Sequence, residues 1–420
     1  MTINTQKINN IIDAFVIIGG LTFKLSLLIE FISAPLSINR FLLIFAILFI
    51  FHLYRFPNGL MNTFLFIKEN SLLIFFLSIY IIDFFIQFLF FEKWELALFN
   101  FSTVFLYFSY LYNVFLHNGN NLDKIIKPYL VYSIWNGVTI LLLVFLVLLG
   151  APWEMNDITN KYELFSGHSE WTMKSYFPYY LSVAANYHPT IGFPVFSGLS
   201  HEPHVIMYIL MPAFFLLLSK MLKMSNKIIL LFTIIVINID TTSTTAIASS
   251  FICIILELYY YFVKKKKLLA GILGLLLCFV AGYIVLKHFG FVWNYITDEK
   301  IGSNSQDASS NMLSYLLSDI LIGTGNCPSE RAIDLKGSSA GIVGILDIIL
   351  YLCVLYKSLM LVLHNERHCH YIGLAAFYFL LHSLKVSYMI FGYCYFAFIL
   401  FIVVTEYKKM KTVKNKMLGE

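Results

Sequence analysis

Charge is scarce in this 420-residue chain: 13% of its residues are Asp, Glu, Lys or Arg. A soluble domain carries about 25%. The deficit argues against a water-soluble globular protein. No nucleic-acid partner is expected. Cysteine is sparse as well. Cys253, Cys278, Cys353 and Cys394 lie inside apolar runs, and Cys327 and Cys369 fall in separate loops. There is no CxxC pair and no disulfide framework. A nucleotide-binding loop, a DxD metal motif in the long loops and a Ser–His–Asp pattern are also missing. These gaps argue against a nucleotide-sugar donor and against ATP-driven transport by this chain alone. No cofactor and no metal is expected. No internal repeat is present, whereas transporters are commonly built from repeated halves.

What the chain has is apolar residues in long runs, at 59% of the composition, with a mean hydropathy of +0.77. Runs of about 20 apolar residues suit helices that satisfy their own backbone in lipid. The expected fold is therefore all-α: a polytopic helical membrane protein, one integral membrane domain over 1–420. About twelve spans are expected, at 10–32, 38–54, 71–91, 94–116, 126–149, 203–221, 227–239, 243–262, 268–288, 340–363, 371–385 and 387–406. The first lacks a small-residue cleavage site and is read as a span rather than a signal peptide. Lys264–Lys267 and the basic tail from Lys408 set both termini in the cytoplasm. Two long loops, 150–202 and 289–339, then face outward. "HNERHCH", from His364 to His370, falls inside and reads as a basic loop.

Loops this long are usually functional or disordered. The first is rich in aromatic residues, among them Trp153, Trp171, Tyr179 and Tyr180. Such rings suit the apolar faces of sugars, and they equally suit an interfacial belt. At its end stands "SHEPH". Pro203 is tolerated at a first helical position and displaces Glu202 from helical geometry. A span should begin at Pro203, with its positive dipole end facing outward. "NIDTTSTTAIASS" and "KGSSAGIVG" open two more spans from the same side. Thr241, Ser243 and Lys336 belong to these openings. Converging helix starts form an anion site, and ordinary capping makes the same residues useful. Glu202 is the candidate general base, with His201 or His204 able to share the task. Arg331 is the only arginine of the outer loops, and arginine suits bidentate phosphate contact. Lys174 adds charge. Asp83, Asp347, His382 and Lys385 are costly within spans and are secondary candidates.

"GLSHEPHVIMYILMPAFFLLL" resembles the O-antigen and capsule repeat-unit polymerases, the Wzy-type family. Glu202, Pro203 and Pro212 carry the resemblance. "TTSTTAIASSFICII" is similar to the family's Ser/Thr-rich span entry, and "LIGTGNCP" followed by "SSAGIVGILDIILYL" to its Gly-rich stretch and span. The resemblance implies a GT-C-like architecture and a metal-independent inverting glycosyltransferase in the bacterial plasma membrane. Its substrates would be undecaprenyl-diphosphate-linked oligosaccharides, joined into lipopolysaccharide O-antigen or capsule. Membrane lipid surrounds such a protein, and a chain-length regulator protein is a conceivable partner. The family often carries arginines in its first long loop; here that loop has only Lys161 and Lys174. The related O-antigen ligases share the layout. A flippase of lipid-linked sugars is the alternative from another class.

Overall fold

Apolar runs broken by Pro, Gly and Asn fold into helices whose ends sit at those breaks. The computed structural model describes residues 5–22, 40–86, 88–89, 94–149, 155–157, 174–176, 183–187, 194–196, 203–221, 224–240, 244–264, 276, 344–364, 366–383 and 388–418. The helices before the first long loop are α1 (Thr5–Thr22), α2 (Arg40–Arg55), α3 (Gly59–Lys68), α4 (Ser71–Ile86), α5 (Trp94–His117) and α6 (Asp123–Leu148). After it come α7 (Pro203–Leu216), α8 (Met224–Asp240), α9 (Thr244–Lys264), α10 (Gly344–Val362), α11 (Arg367–His382) and α12 (Tyr388–Leu418). A π-helical turn, Leu217–Met221, extends α7.

The all-α expectation describes this body. Every expected span overlaps a described helix except 268–288, which lies outside the described residues apart from Leu276; part of 10–32, from residue 23 on, lies outside them too. Among the described residues, one stretch is long and apolar enough to cross a membrane, Asp123–Leu146. A second is Gly59–Lys68 with Ser71–Ile79, if that pair, bent by 110°, counts as one span. Several shorter apolar helices accompany them. Helix α3 was not expected. Asn70 makes the break after it: its side chain donates to the Phe66 carbonyl at 2.6 Å, and its own carbonyl accepts the amides that open α4.

The turn between α5 and α6 follows from "HNGNN". Gly119 adopts φ +68°. Its N–H bonds the Leu116 carbonyl at 3.1 Å, and the Asn120 N–H bonds Phe115 at 2.9 Å. This pair of bonds is the Schellman stop, which needs a residue in left-handed backbone geometry. Asn121 then accepts the Asp123 amide at 3.0 Å and starts α6.

The first long loop holds a small sheet that the sequence reading did not anticipate. Its strands are β1 (Met155–Asp157), β2 (Lys174–Tyr176), β3 (Val183–Tyr187) and β4 (Pro194–Phe196), paired antiparallel in chain order. Strands of three residues carry too little alternation to be seen in a sequence. Strand β4 packs against α8, so the end of this loop rests on the helical body.

Helix α7 is buried in that body and packs against α6, α8, α9 and α11. Its residues Ile206 to Met211 are all buried. Helices α10 and α11 form a close antiparallel pair. A Cβ on Gly373 would lie 2.5 Å from the Val362 nitrogen and 2.8 Å from the Ser358 oxygen, so only glycine admits this approach. The outer helix faces are apolar: Phe15, Ile50, Phe64, Phe145, Phe232 and Leu352 are each more than half exposed.

Candidate functional site

Helix α7 starts at Pro203, as the sequence predicts. Proline lacks the amide proton that a first-turn residue would leave unbonded, so the helix begins there at little cost. His204 is the second residue of α7, and Lys174 opens β2. Lys174 thus belongs to the same sheet as β4, the strand that precedes α7 and touches α8. Helix α9 begins at Thr244, directly after Thr241 and Ser243. Those two residues lie outside the described residues, as do Trp153, Trp171, Tyr179, Tyr180, His201, Glu202, Arg331, Lys336 and Lys385.

Below the start of α7 lies a buried polar and aromatic cluster. From Pro203 to Tyr208 the helix descends about 7 Å. Pro212, one turn further, has no N–H for the Tyr208 carbonyl, and its ring pushes that carbonyl outward. Two tyrosines from other helices bond the carbonyls exposed at this point. The Tyr395 hydroxyl of α12 donates to the Tyr208 oxygen. The Tyr129 hydroxyl of α6 donates to the Ile209 oxygen at 2.5 Å. The two hydroxyl oxygens are 2.8 Å apart. With one proton each, they can fill two of these three contacts at once. His382 of α11 stands beside them, 1% exposed, with its ring centroid 4.3 Å from that of Tyr208. Tyr378 stacks on the other side at 5.6 Å. His382 was a secondary sequence candidate, and the fold places it under the mouth of α7. Asp83 and Asp347 lie on α4 and α10, away from α7 in sequence and in element.

No protein-family model, no curated protein and no solved structure matches this chain. The chemistry must therefore be read from its own side chains.

Three further polar clusters come from residues far apart in sequence. His52 Nε2 and Ser109 Oγ are 2.7 Å apart. Thr63 and Asn113 close this network over the Gly59 carbonyl. A Ser–His pair is the start of a nucleophilic site. Here both partners are buried, at 0% and 1% exposure. The network ties α2, α3 and α5 together. Nearby, Arg55 holds Asp13 through two bonds of 2.9 and 3.1 Å, and the Tyr110 hydroxyl donates to the same carboxylate at 2.7 Å. A cavity of about 310 Å3 opens beside Asp13, with Lys124 and Lys127 on its lining. The third cluster joins α9 to α11. His370 Nε2 meets Glu257 Oε2 at 2.7 Å, and the Tyr371 hydroxyl donates to Glu257 Oε1 at 2.7 Å. His370 Nδ1 faces the Val362 carbonyl, which only accepts, so Nδ1 carries a proton. Tyr260 stacks on the His370 ring at 3.7 Å.

The sequence offered little signal for these pairs. Each partner reads as a single polar residue in an apolar run, and a polar residue in such a run needs a partner. That much could have been inferred, but which residue answers which could not.

Proposed function

We propose that this chain spans the bacterial plasma membrane as a polytopic helical protein and polymerises undecaprenyl-diphosphate-linked oligosaccharide repeat units at its outer face. The observation that carries the reading is the opening of α7 at Pro203, immediately after His201 and Glu202, in a helix buried among four others. Apolar outer faces on most helices fit a lipid surround, since soluble monomers rarely expose continuous apolar surface.

In this reading Glu202 accepts the proton of an acceptor sugar hydroxyl, with His201 or His204 sharing the load. The freed oxygen attacks the anomeric carbon of the donor. The bond from that carbon to the diphosphate breaks, and undecaprenyl diphosphate leaves with the electron pair. Attack opposite the leaving group inverts the anomeric centre. Arg331, Lys174 and Lys336 offset the departing charge, and Thr241 and Ser243 add donors at the mouth of α9. Trp153, Trp171, Tyr179 and Tyr180 give the growing glycan apolar faces to lie on. The sheet that carries Lys174 fits this part, because it pairs the long loop to itself and rests on α8. Both termini face the cytoplasm.

Deletion of the gene tests the reading. Glycans that stop at one repeat unit support a polymerase. Long lipid-linked chains that never reach their acceptor mean a ligase, and repeat units stranded inside mean a flippase. In the complemented strain, Glu202→Gln should abolish chain lengthening while the protein still inserts; normal glycan length would remove Glu202 from the mechanism.

A further inference from the structure

"HNERHCH" takes no part in the proposed reaction, and its side chains are drawn together by the fold. One ligand atom each from His364, Glu366 and Cys369 lie within 4.8 Å of one another. The Cys369 sulfur is 3.6 Å from Glu366 Oε2 and 3.8 Å from Glu406 Oε2, a residue of α12. His368 Nε2 approaches the other oxygen of Glu406 at 3.7 Å. A buried thiol thus faces two carboxylates and an imidazole at the meeting of α10, α11 and α12.

We propose that His364, Glu366 and Cys369 bind a divalent transition-metal ion of the zinc class, beside the Glu406 carboxylate. The spacing supports it. Zinc binds thiolate at about 2.3 Å and carboxylate oxygen at about 2.0–2.2 Å, so a tetrahedral angle sets sulfur and oxygen about 3.5 Å apart. The Cys369–Glu366 sulfur–oxygen separation, 3.6 Å, is nearly that edge length. The donor set of one sulfur, one oxygen and one nitrogen, with a fourth position left for water, suits a borderline ion better than calcium or magnesium. Cys369 and Glu406 are buried, while Glu366 is exposed and His364 half-buried, so an ion can enter from the His364 side. His364 spends Nδ1 on the Glu366 amide at 3.2 Å, a long bond that costs little to exchange for an ion. On binding, the thiol proton passes to solvent and the thiolate takes the metal. The ion would fasten the α10–α11 connection to the first turn of α11. The site is separate from the proposed glycosyl transfer and stands whether or not that reading holds.

Full-length protein in detergent, stripped with a chelator and titrated with Co2+, tests the proposal. One equivalent should bind, with the near-ultraviolet absorption of a thiolate bound to cobalt, and Zn2+ should displace it. Cys369→Ser should lose the absorption and Cys353→Ser should keep it. Should Cys369→Ser fail to fold, Glu366→Gln and His364→Ala lie on the accessible side and should each weaken Co2+ binding about tenfold or more. No thiolate absorption in the native protein, its survival in Cys369→Ser, or unchanged affinity in the accessible-side variants would overturn the site.

Discussion

The interaction around Pro212 permits a test in which one substitution rescues another. Tyr395 donates its hydroxyl to the Tyr208 carbonyl, the group that Pro212 deprives of a helix partner. Tyr208 and Tyr395 are both buried. Tyr395→Phe keeps the ring and removes the donor, leaving a buried carbonyl without a bond. Such a group costs about 1–3 kcal/mol. The Tyr129 proton cannot make up the loss without giving up Ile209. In a Pro212→Ala background the backbone regains an N–H at that position, one helical turn from the Tyr208 oxygen, and the two bond. Tyr395→Phe should then cost well under 1 kcal/mol. The interaction energy of the pair is the difference, about 1–2 kcal/mol, and a double-mutant cycle reads it directly. The assay is equilibrium unfolding of the purified full-length protein in mixed micelles, for the parent, both single variants and the double variant. An equal loss from Tyr395→Phe in both backgrounds would refute the argument, because the hydroxyl would then not be answering the proline.

Gly373→Ala should destabilise the chain by about 1–3 kcal/mol in the same assay, because a Cβ would meet fixed backbone atoms of α10, which cannot rotate away. Glu257→Gln weakens a charge-assisted bond to His370 and should cost about 1.5–3 kcal/mol, measured as a lower unfolding midpoint. For the proposed diphosphate contact, Arg331→Lys should lower polymer yield and Arg331→Ala should nearly remove it, scored by glycan length; equal yields would dismiss the role.

Helix positions were largely legible. Pro203 marks the start of α7 by its chemistry. The short helix α3 was missed because its ten residues fall between two expected spans and are too few for a span of their own, and its bend depends on Asn70 turning back on Phe66. The sheet in the first long loop was missed because strands so short are held by their partners rather than by a pattern. The proposed carboxylate mouth rests on "SHEPH" alone, since His201 and Glu202 lie outside the described residues. The histidine and tyrosines beneath it were not assembled, since Tyr129, Tyr208, His382 and Tyr395 come from four different helices.

The sequence by itself determined where helices form and end, because hydropathy, proline, glycine and asparagine act within a few residues along the chain. It also determined that each polar residue in an apolar run would need a partner, and that Pro212 would leave a carbonyl open. Only the tertiary structure decided that Tyr395 answers Tyr208, that Glu257 answers His370, and that Glu406 stands against Cys369. Those choices rest on which helices touch and at what height, and helices pack through shape and contact over their whole length, which local spacing does not encode.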